Sequence, residues 1–199
     1  MSSEKTTAIV DPGPAGIGDS AMVTDVAADT LVRRHFHAPS ARPPGWDEIS
    51  ATALSAYHRS VLLTDGTVTR TVEAHVLEPI AAQTITQYET TADVDRGGWL
   101  DASPGEAVLV RQVDLVGGRT GVRYARAESL ISLARLPTTF SDALAREPAG
   151  IGAALQAAAA ESYRQLLYYG RTRDAVCARC YRIFIQRKPA LVIREWFLR

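Results

Sequence analysis

Two pairs of alternating segments, each joined by a short turn, most restrict how this chain can fold. In the first pair, Gly117-Gly118 separates alternating segments at 107–116 and roughly 121–131. The second pair closes the chain, with segments at about 178–186 and 190–198. Strands joined by such short turns are antiparallel neighbours. The pattern therefore predicts an antiparallel sheet as the frame of the molecule.

Further segments complete an α+β chain. The segment at 67–77 also alternates, and it is predicted as a strand together with the weaker pattern at 80–89, which brings the total to about six. Helices are predicted from near Trp46 and from Pro137. A last helix is predicted from the helical spacing of Leu155, Ala159, Tyr163 and Leu166. We therefore expect one antiparallel sheet of about six strands with helices packed on one face.

The composition is that of a globular chain. Its 199 residues are 46% hydrophobic, and 22 basic residues balance 22 acidic ones, so charge gives no indication of nucleic acid binding. No apolar run approaches the roughly 20 residues of a membrane helix. We expect residues 1–45 to form a poorly structured N-terminal arm with room for a short helix over 22–35. Residues 46–199 are expected to form one domain.

Two cysteines imply no disulfide framework. The N-terminus also lacks the charged start and apolar stretch of a secretory signal, so a cytoplasmic location is expected. Cys177-Ala-Arg-Cys180 has no further ligand pair at zinc spacing and leads into a predicted strand, which favours incidental cysteines. His35-Phe36-His37 lies in the arm without a carboxylate or cysteine set. No metal site is therefore predicted.

Charged residues at positions that alternation assigns to apolar strand faces are the main functional indication. Arg111 alternates with apolar residues in 107–116, and Glu195 does so in 190–198. Arg70 is a third charged residue that alternates with apolar residues, in the segment 67–77. Buried charges are costly unless they are paired or used. An arginine fork suits a carboxylate ligand, and a carboxylate suits acid–base chemistry.

Arg126 and Glu128 share one face of the strand at 121–131. Arg126 could provide a second cationic contact to an anionic ligand. A surface pair within the sheet explains the two residues about as well, and the sequence leaves both explanations open.

Several segments together resemble a known family. The most specific are Val110-Arg111-Gln112-Val113-Asp114-Leu115 and Lys188-Pro-Ala-Leu-Val-Ile-Arg-Glu-Trp-Phe-Leu198. Further matching segments, in the same order along the chain, lie at 61–70, 124–131, 135–137 and 168–171. In this set the predicted domain resembles the chorismate pyruvate-lyase family.

The resemblance implies a lyase that eliminates pyruvate from chorismate, leaves 4-hydroxybenzoate and needs no metal or cofactor. By matching position, Arg111 would hold the ring carboxylate, Glu195 would act as acid–base at the hydroxyl end, and Arg126 would be a further cationic contact. Helical flaps cover the family's site, and the segments around 64–70 and 137–152 would cover it here. The expected partner is a small carboxylate, without nucleic acid or membrane, and the oligomeric state stays open.

Two alternatives remain open at this point. The chain could be a biosynthetic tailoring enzyme that keeps the fold and acts on a different carboxylate. It could also be a binding module that captures a small carboxylate without turnover. The fold of the family that the chain resembles also serves ligand-sensing domains of bacterial repressors, but residues 1–45 lack a basic helix-turn-helix pattern.

Overall fold

The computed structural model, which describes residues 20–146 and 150–198, contains one sheet of six strands. The strands are β1 Ile80–Thr91, β2 Ala107–Gly117, β3 Arg123–Ile131, β4 Ser162–Thr172, β5 Ala175–Ile185 and β6 Lys188–Phe197. They lie in the order β1-β2-β3-β6-β5-β4, and every neighbouring pair is antiparallel. The predicted antiparallel sheet and both predicted hairpins are therefore confirmed.

The helices of the described ranges cover one face of this sheet. They are α1 Ser20–Arg33, α2 Ala56–Leu63, α3 Val68–Val76, α4 Phe140–Arg146 and α5 Ile151–Ala157, with short 3-10 turns at Ala51–Ala53, Ala92–Val94 and Leu133–Arg135. None of the described helices has the length and apolarity that a membrane span needs.

The larger core lies between the helices and the sheet. Its buried members include Val61, Leu62, Val72, Leu115, Phe140, Leu155 and Leu191. A smaller apolar cluster lies on the opposite face, around Leu100, Val110 and Leu130. The prediction of helices packed on one face of a single sheet is confirmed.

Helix α1 falls within the predicted N-terminal arm. Near its end, Val32 and Phe36 are buried in the larger core, so this part of the arm packs on the sheet domain. Residues 1–19 of the arm lie outside the described residues. The domain boundary near residue 45 stays a prediction.

Helix α2 begins later than predicted. The expected start near Trp46 is instead irregular chain and a 3-10 turn, and the helix begins at Ala56. Ser55 caps it, because its hydroxyl oxygen accepts a hydrogen bond from the backbone N–H of His58. The capping serine, rather than the apolar spacing, marks the helix start.

The prediction of a strand at 67–77 is wrong, because this segment is helix α3. Val68 and Val72 are four residues apart, a spacing that places them on one side of a helix as well as on one side of a strand. Both are buried, whereas Arg70 and Ala74 are exposed. Contact with the core therefore overrides the strand preference of the valines. Arg70 lies on the outer side of a helix and not on an apolar strand face.

The prediction of a long last helix is also wrong, because the segment 162–172 is strand β4. Helix α5 ends at Ala157, and Ala159 adopts a left-handed φ of 50°, which redirects the chain. Tyr163 and Leu166, which were assigned to the helix, pair instead with β5. Pairing of this aromatic-rich segment with a neighbouring strand prevailed over its apolar spacing.

Glu78 fastens the β2–β3 hairpin to the start of β1. Its carboxylate accepts hydrogen bonds from the hydroxyls of Thr120 and Tyr124 at 2.7 and 2.8 Å and from the backbone N–H groups of Arg119 and Thr120 at 3.0 and 3.1 Å. A side chain at position 117 would displace the Glu78 carboxylate, since a Cβ built at Gly117 would lie 2.3 Å from Glu78 Oε1. These hydrogen bonds lower the pKa of Glu78 from 4.5 to about 2, and the bond from the Thr120 hydroxyl has the largest effect.

Glu78→Gln should lower the stability of the protein at neutral pH and weaken its loss of stability in acid. A carboxyl whose pKa is lower in the folded state stabilises fully above its unfolded pKa, and the contribution disappears as the pH falls from about 4.5 to about 2. Urea unfolding at pH 7, 4.5 and 3 measures this dependence. Glu89→Gln, at an exposed glutamate of β1, is the matched control. Equal acid dependence in wild type and Glu78→Gln would contradict the role of Glu78.

Candidate active site

Arg111 and Glu195 lie on the helix-covered face of the sheet, two strands apart. The register pairs Arg111 with Ser129 and Ser129 with Ile193, whereas Glu195 lies in the neighbouring row, paired with Ala127. Two strand spacings of about 4.8 Å and two residue rises of about 3.4 Å place their Cα atoms about 12 Å apart. Both residues are buried, with 6% exposure each. The apolar strand faces assigned from alternation are therefore confirmed.

Both side chains line one small cavity of about 50 Å³, which we call the inner cavity. Its floor is formed by residues of the sheet, among them Arg111, Val113, Ala127, Ser129, Tyr181, Ile193 and Glu195. Its roof is formed by residues 66–69 at the start of α3 and residues 150–152 at the start of α5. The roof screens the floor from water, which strengthens electrostatic contacts inside.

Two side chains of β5 hold Glu195 in place. Arg179 Nε donates to Glu195 Oε2 at 2.8 Å, and the Tyr181 hydroxyl donates to Oε1 at 3.0 Å. The ion pair is dry, because the side chain of Arg179 has 0% exposure and that of Glu195 has 7%. Burial, and then the neighbouring Glu195 carboxylate, raises the pKa of Tyr181, which stays a neutral donor. A carboxylate fixed in this way is suited to taking a proton from a bound ligand.

Arg179 also connects the floor to the roof. Its Nη1 donates to the carbonyl oxygens of Leu62 at 3.1 Å and Thr64 at 2.7 Å, at the end of α2. Its guanidinium carbon lies 4.7 Å from the centre of the Tyr181 ring, within the range of a cation–π contact. One buried side chain thus orients Glu195 and fixes the chain that leads into the roof.

Arg111 has no carboxylate partner among the described residues. Its Nη2 donates to the Thr84 hydroxyl at 3.2 Å. Burial lowers the pKa of Arg111, so its charge has been taken out of water without an acidic neighbour. A ligand carboxylate in the inner cavity would supply both the missing charge and the acceptor oxygens.

Arg70 lies outside the inner cavity. It is exposed on α3, and its Nη2 donates to Gln156 Oε1 at 3.0 Å. It lines a larger space of about 400 Å³, which we call the outer cavity. The two cavities share the lining residues Gly66, Thr67, Gly152 and Arg164. Arg70 therefore stands at the approach to the inner cavity and not on its floor.

Arg126 lies on the opposite face of the sheet. Its Nε donates to Asp114 Oδ1 at 2.9 Å, and this hydrogen bond raises the pKa of Arg126. Glu128, on the same face, pairs with Arg194 at 3.0 Å. The structure thus brings Arg111 and Glu195 together and leaves Arg126 in a charge pair on the other side.

Sequence reasoning missed three residues of the site: Arg164, Arg179 and Tyr181. Arg179 and Tyr181 alternate with Cys177 and Ile183 on one face of β5, so the parity argument that singled out Arg111 could have found them. Arg164 could not be found in this way, because its segment was predicted to be helical.

Cys177 and Cys180 lie within β5 on opposite faces of the sheet. Cys177 packs in the larger core and Cys180 in the smaller cluster, and both are free thiols. Burial raises the pKa of Cys177 to about 12 and that of Cys180 to about 11. Both thiols are therefore protonated at neutral pH, which disfavours redox or nucleophilic chemistry.

Comparison with known families gives a match over most of the chain. The model of the family described as "Chorismate pyruvate-lyase Rv2949c-like" matches residues 62–199. The matched range contains the whole sheet together with Arg111, Arg179 and Glu195.

A curated relative agrees with this match. The "Chorismate pyruvate-lyase" of Mycobacterium leprae (strain TN) is 27% identical over 165 residues, which cover 71% of this chain and 73% of that protein.

Solved structures with a similar fold include regulator proteins. PhnF from Mycobacterium smegmatis superposes with a TM-score of 0.52 and 14% identity, covering 89% of this chain and 80% of that chain. The effector domain of PhnF from the same organism superposes with a TM-score of 0.50 and 15% identity, covering 67% of this chain and 88% of that chain. At these identities the similarity concerns the fold alone.

The two halves of the roof touch at Gly152 and Thr67. A Cβ built at Gly152 would lie 2.8 Å from Thr67 Oγ1 and 2.9 Å from Thr67 Cγ2. The contact involves the whole threonine side chain, because Thr67 Cβ is also within 3.3 Å. The absence of a side chain at Gly152 is therefore what lets the roof close.

Gly152→Ala should destabilise the protein by about 1–3 kcal/mol, the usual cost of overpacking. Without the contact, alanine would instead stabilise a helix by up to about 1 kcal/mol. Thr67→Ala removes both γ atoms. It does not remove a helix cap, because the Thr67 side chain makes no capping hydrogen bond to α3. In the Thr67→Ala background, only the contact with the Cβ of residue 67 at 3.3 Å remains, so Gly152→Ala should cost less there than in the wild-type background. Denaturant unfolding of the four proteins measures this cycle, and additive effects would show that the two roof segments are not coupled.

Proposed function

This chain belongs to the Rv2949c-like chorismate pyruvate-lyase family, and we propose that it eliminates pyruvate from chorismate and leaves 4-hydroxybenzoate. The family match and the relative from Mycobacterium leprae support lyase activity. The observation that carries the proposal is that two groups line the same cavity: Arg111, a buried guanidinium without a carboxylate partner among the described residues, and Glu195, a carboxylate held in place by hydrogen bonds. These two groups match an acidic ligand that has to lose a proton.

Arg111 is proposed to bind the ring carboxylate of the substrate. A guanidinium donates two parallel hydrogen bonds to a carboxylate, which sets the direction of the ring as well as its position. The Cα separation of about 12 Å to Glu195 leaves room for a six-membered ring between the two side chains. The ring would then point its hydroxyl-bearing carbon toward Glu195.

Glu195 is proposed to act as the base. It would take the proton from the ring carbon that bears the hydroxyl group, and the electron pair of that C–H bond would complete the aromatic ring. The adjacent C–O ether bond breaks, and its electron pair leaves on the enolpyruvate oxygen. Proton uptake at the methylene carbon then converts enolpyruvate into pyruvate. Aromaticity drives the step, so orientation and one positioned base supply what is needed.

Arg179 and Tyr181 are proposed to position the base. Their hydrogen bonds occupy one oxygen of Glu195 each and keep the carboxylate from rotating. The inner cavity is small, so the roof segments 66–69 and 150–152 have to separate for the substrate to enter and close again over it. Closure would exclude water from the reacting atoms.

Glu195→Gln should lower kcat by about 10²–10⁴-fold, the usual contribution of a positioned general base. The wild-type protein is incubated with chorismate, and pyruvate and 4-hydroxybenzoate are measured. Glu128→Gln is the matched control, because Glu128 pairs with Arg194 on the opposite face of the sheet.

Three outcomes of this assay are distinct. No product from wild type at high enzyme concentration would contradict the proposed reaction. Tight binding of a small aromatic acid without turnover would favour a binding module. An unchanged rate in Glu195→Gln, with wild type active, would mean that another group is the base.

Arg111→Ala should weaken binding of 4-hydroxybenzoate by about 1.5–3 kcal/mol, the usual contribution of a hydrogen bond to a charged group. Calorimetric titration measures the affinity. Arg126→Ala is the matched control, because Arg126 lies on a neighbouring strand but on the opposite face, paired with Asp114. Equal losses in both variants would contradict the assignment of the anchor to the helix-covered face.

A further inference from the structure

Arg164 lies where the inner and outer cavities meet. Among their described lining residues, it is the cationic side chain that both cavities share. It starts from β4 at the far side of the floor, in the row of Ile183. Four strand spacings and two residue rises put its Cα about 20 Å from that of Arg111. Two long arginine side chains thus approach one space from opposite sides.

The guanidinium of Arg164 is only partly satisfied. Its Nη1 donates to the carbonyl oxygen of Asp65, in the turn between α2 and α3. Its Nε is buried and has no hydrogen-bond partner among the described residues. No carboxylate of the described chain forms an ion pair with it. A buried donor of this kind costs free energy unless something else accepts its proton.

The charges around the inner cavity do not balance. Glu195 is neutralised by Arg179, which lies 2.8 Å away. Arg111 and Arg164 both line the cavity without a carboxylate partner among the described residues. Within the described part of the chain, two positive charges therefore face this space without a carboxylate partner, which fits a dianion better than a monoanion.

We propose that Arg164 binds a second carboxylate group, so that the site is built for a dicarboxylate with one acid group held at each end. The inference rests on the proposed function, in which the second acid group is the enolpyruvyl carboxylate of chorismate. Arg111 then holds the part that stays as product, and Arg164 holds the part that leaves. Positive charge at that position also stabilises the negative charge that develops on the departing enolpyruvate.

The outer cavity provides a route for such a ligand. Its described lining residues include Arg70 and Arg164 but no aspartate or glutamate. A cleft lined by charges of one sign concentrates ligands of the opposite sign. The carboxylate of the departing enolpyruvate, already paired with Arg164, would thus face the outer cavity, through which it can leave.

The test uses two ligands that differ in the second acid group. They are 4-hydroxybenzoate and 3-(1-carboxyethoxy)-4-hydroxybenzoate, an aromatic ether that cannot undergo the elimination. Calorimetric titration should show tighter binding of the dicarboxylate to wild type, by about tenfold or more. Arg164→Gln should remove this preference and leave the affinity for 4-hydroxybenzoate unchanged. Arg173→Gln, at an exposed arginine of the β4–β5 turn that lines neither cavity, is the matched control.

The outcomes separate this inference from the function on which it rests. An unchanged preference for the dicarboxylate in Arg164→Gln would overturn the role of Arg164 and leave the proposed reaction standing. Failure of wild type to bind either ligand would overturn both. Because Arg164 also holds the Asp65 carbonyl, the retained affinity for 4-hydroxybenzoate serves as the check that the inner cavity of the variant is intact.

Discussion

The buried ion pair between Arg179 and Glu195 connects the proposed base on the sheet to the chain that leads into the roof. Two charges removed from water are costly, and taking away either partner would leave the other uncompensated, at a cost of about 3–5 kcal/mol. The structure offsets the cost with hydrogen bonds from Arg179 to Leu62 and Thr64 and from Tyr181 to Glu195. These bonds also fix the end of α2 over the sheet. The carboxylate is therefore held firmly because the interaction that orients it also supports the fold.

Arg111 and the charged side chains on the opposite face of the sheet differ in whether they have an oppositely charged partner. On the face opposite the helices, Asp114 pairs with Arg126 and Glu128 pairs with Arg194, so the charges balance within the protein. On the helix-covered face, Arg111 has only a hydroxyl as its hydrogen-bond partner among the described side chains. Charges of the first kind stabilise the sheet modestly. A buried charge of the second kind indicates a ligand, and this contrast is the physical basis of the proposed anchor.

The strands at 80–91, 107–117, 123–131, 175–185 and 188–197 were largely predictable, because local alternation and turns specify them. Two segments were not. Val68 and Val72 fit one face of a strand or a helix equally well, and only their burial against the core selects the helix. Tyr163 and Leu166 have a helical spacing, but β5 offers the segment a partner strand. In both cases a long-range contact decided between two local structures of similar cost.

The sequence by itself determined the antiparallel hairpins, and with them the parity that places Arg111 and Glu195 on apolar faces. It could not say how the hairpins adjoin one another, and the β3–β6 pairing brings together segments separated by two helices and a hairpin. Arg179 reaches Leu62 across 117 positions of the chain, and Arg164 reaches Asp65 across 99. No local pattern encodes such contacts, because they exist only once the six strands have paired and the helices have packed on the sheet. The tertiary structure alone therefore decided how the base is held, how the roof closes and where a second positive charge meets the cavity.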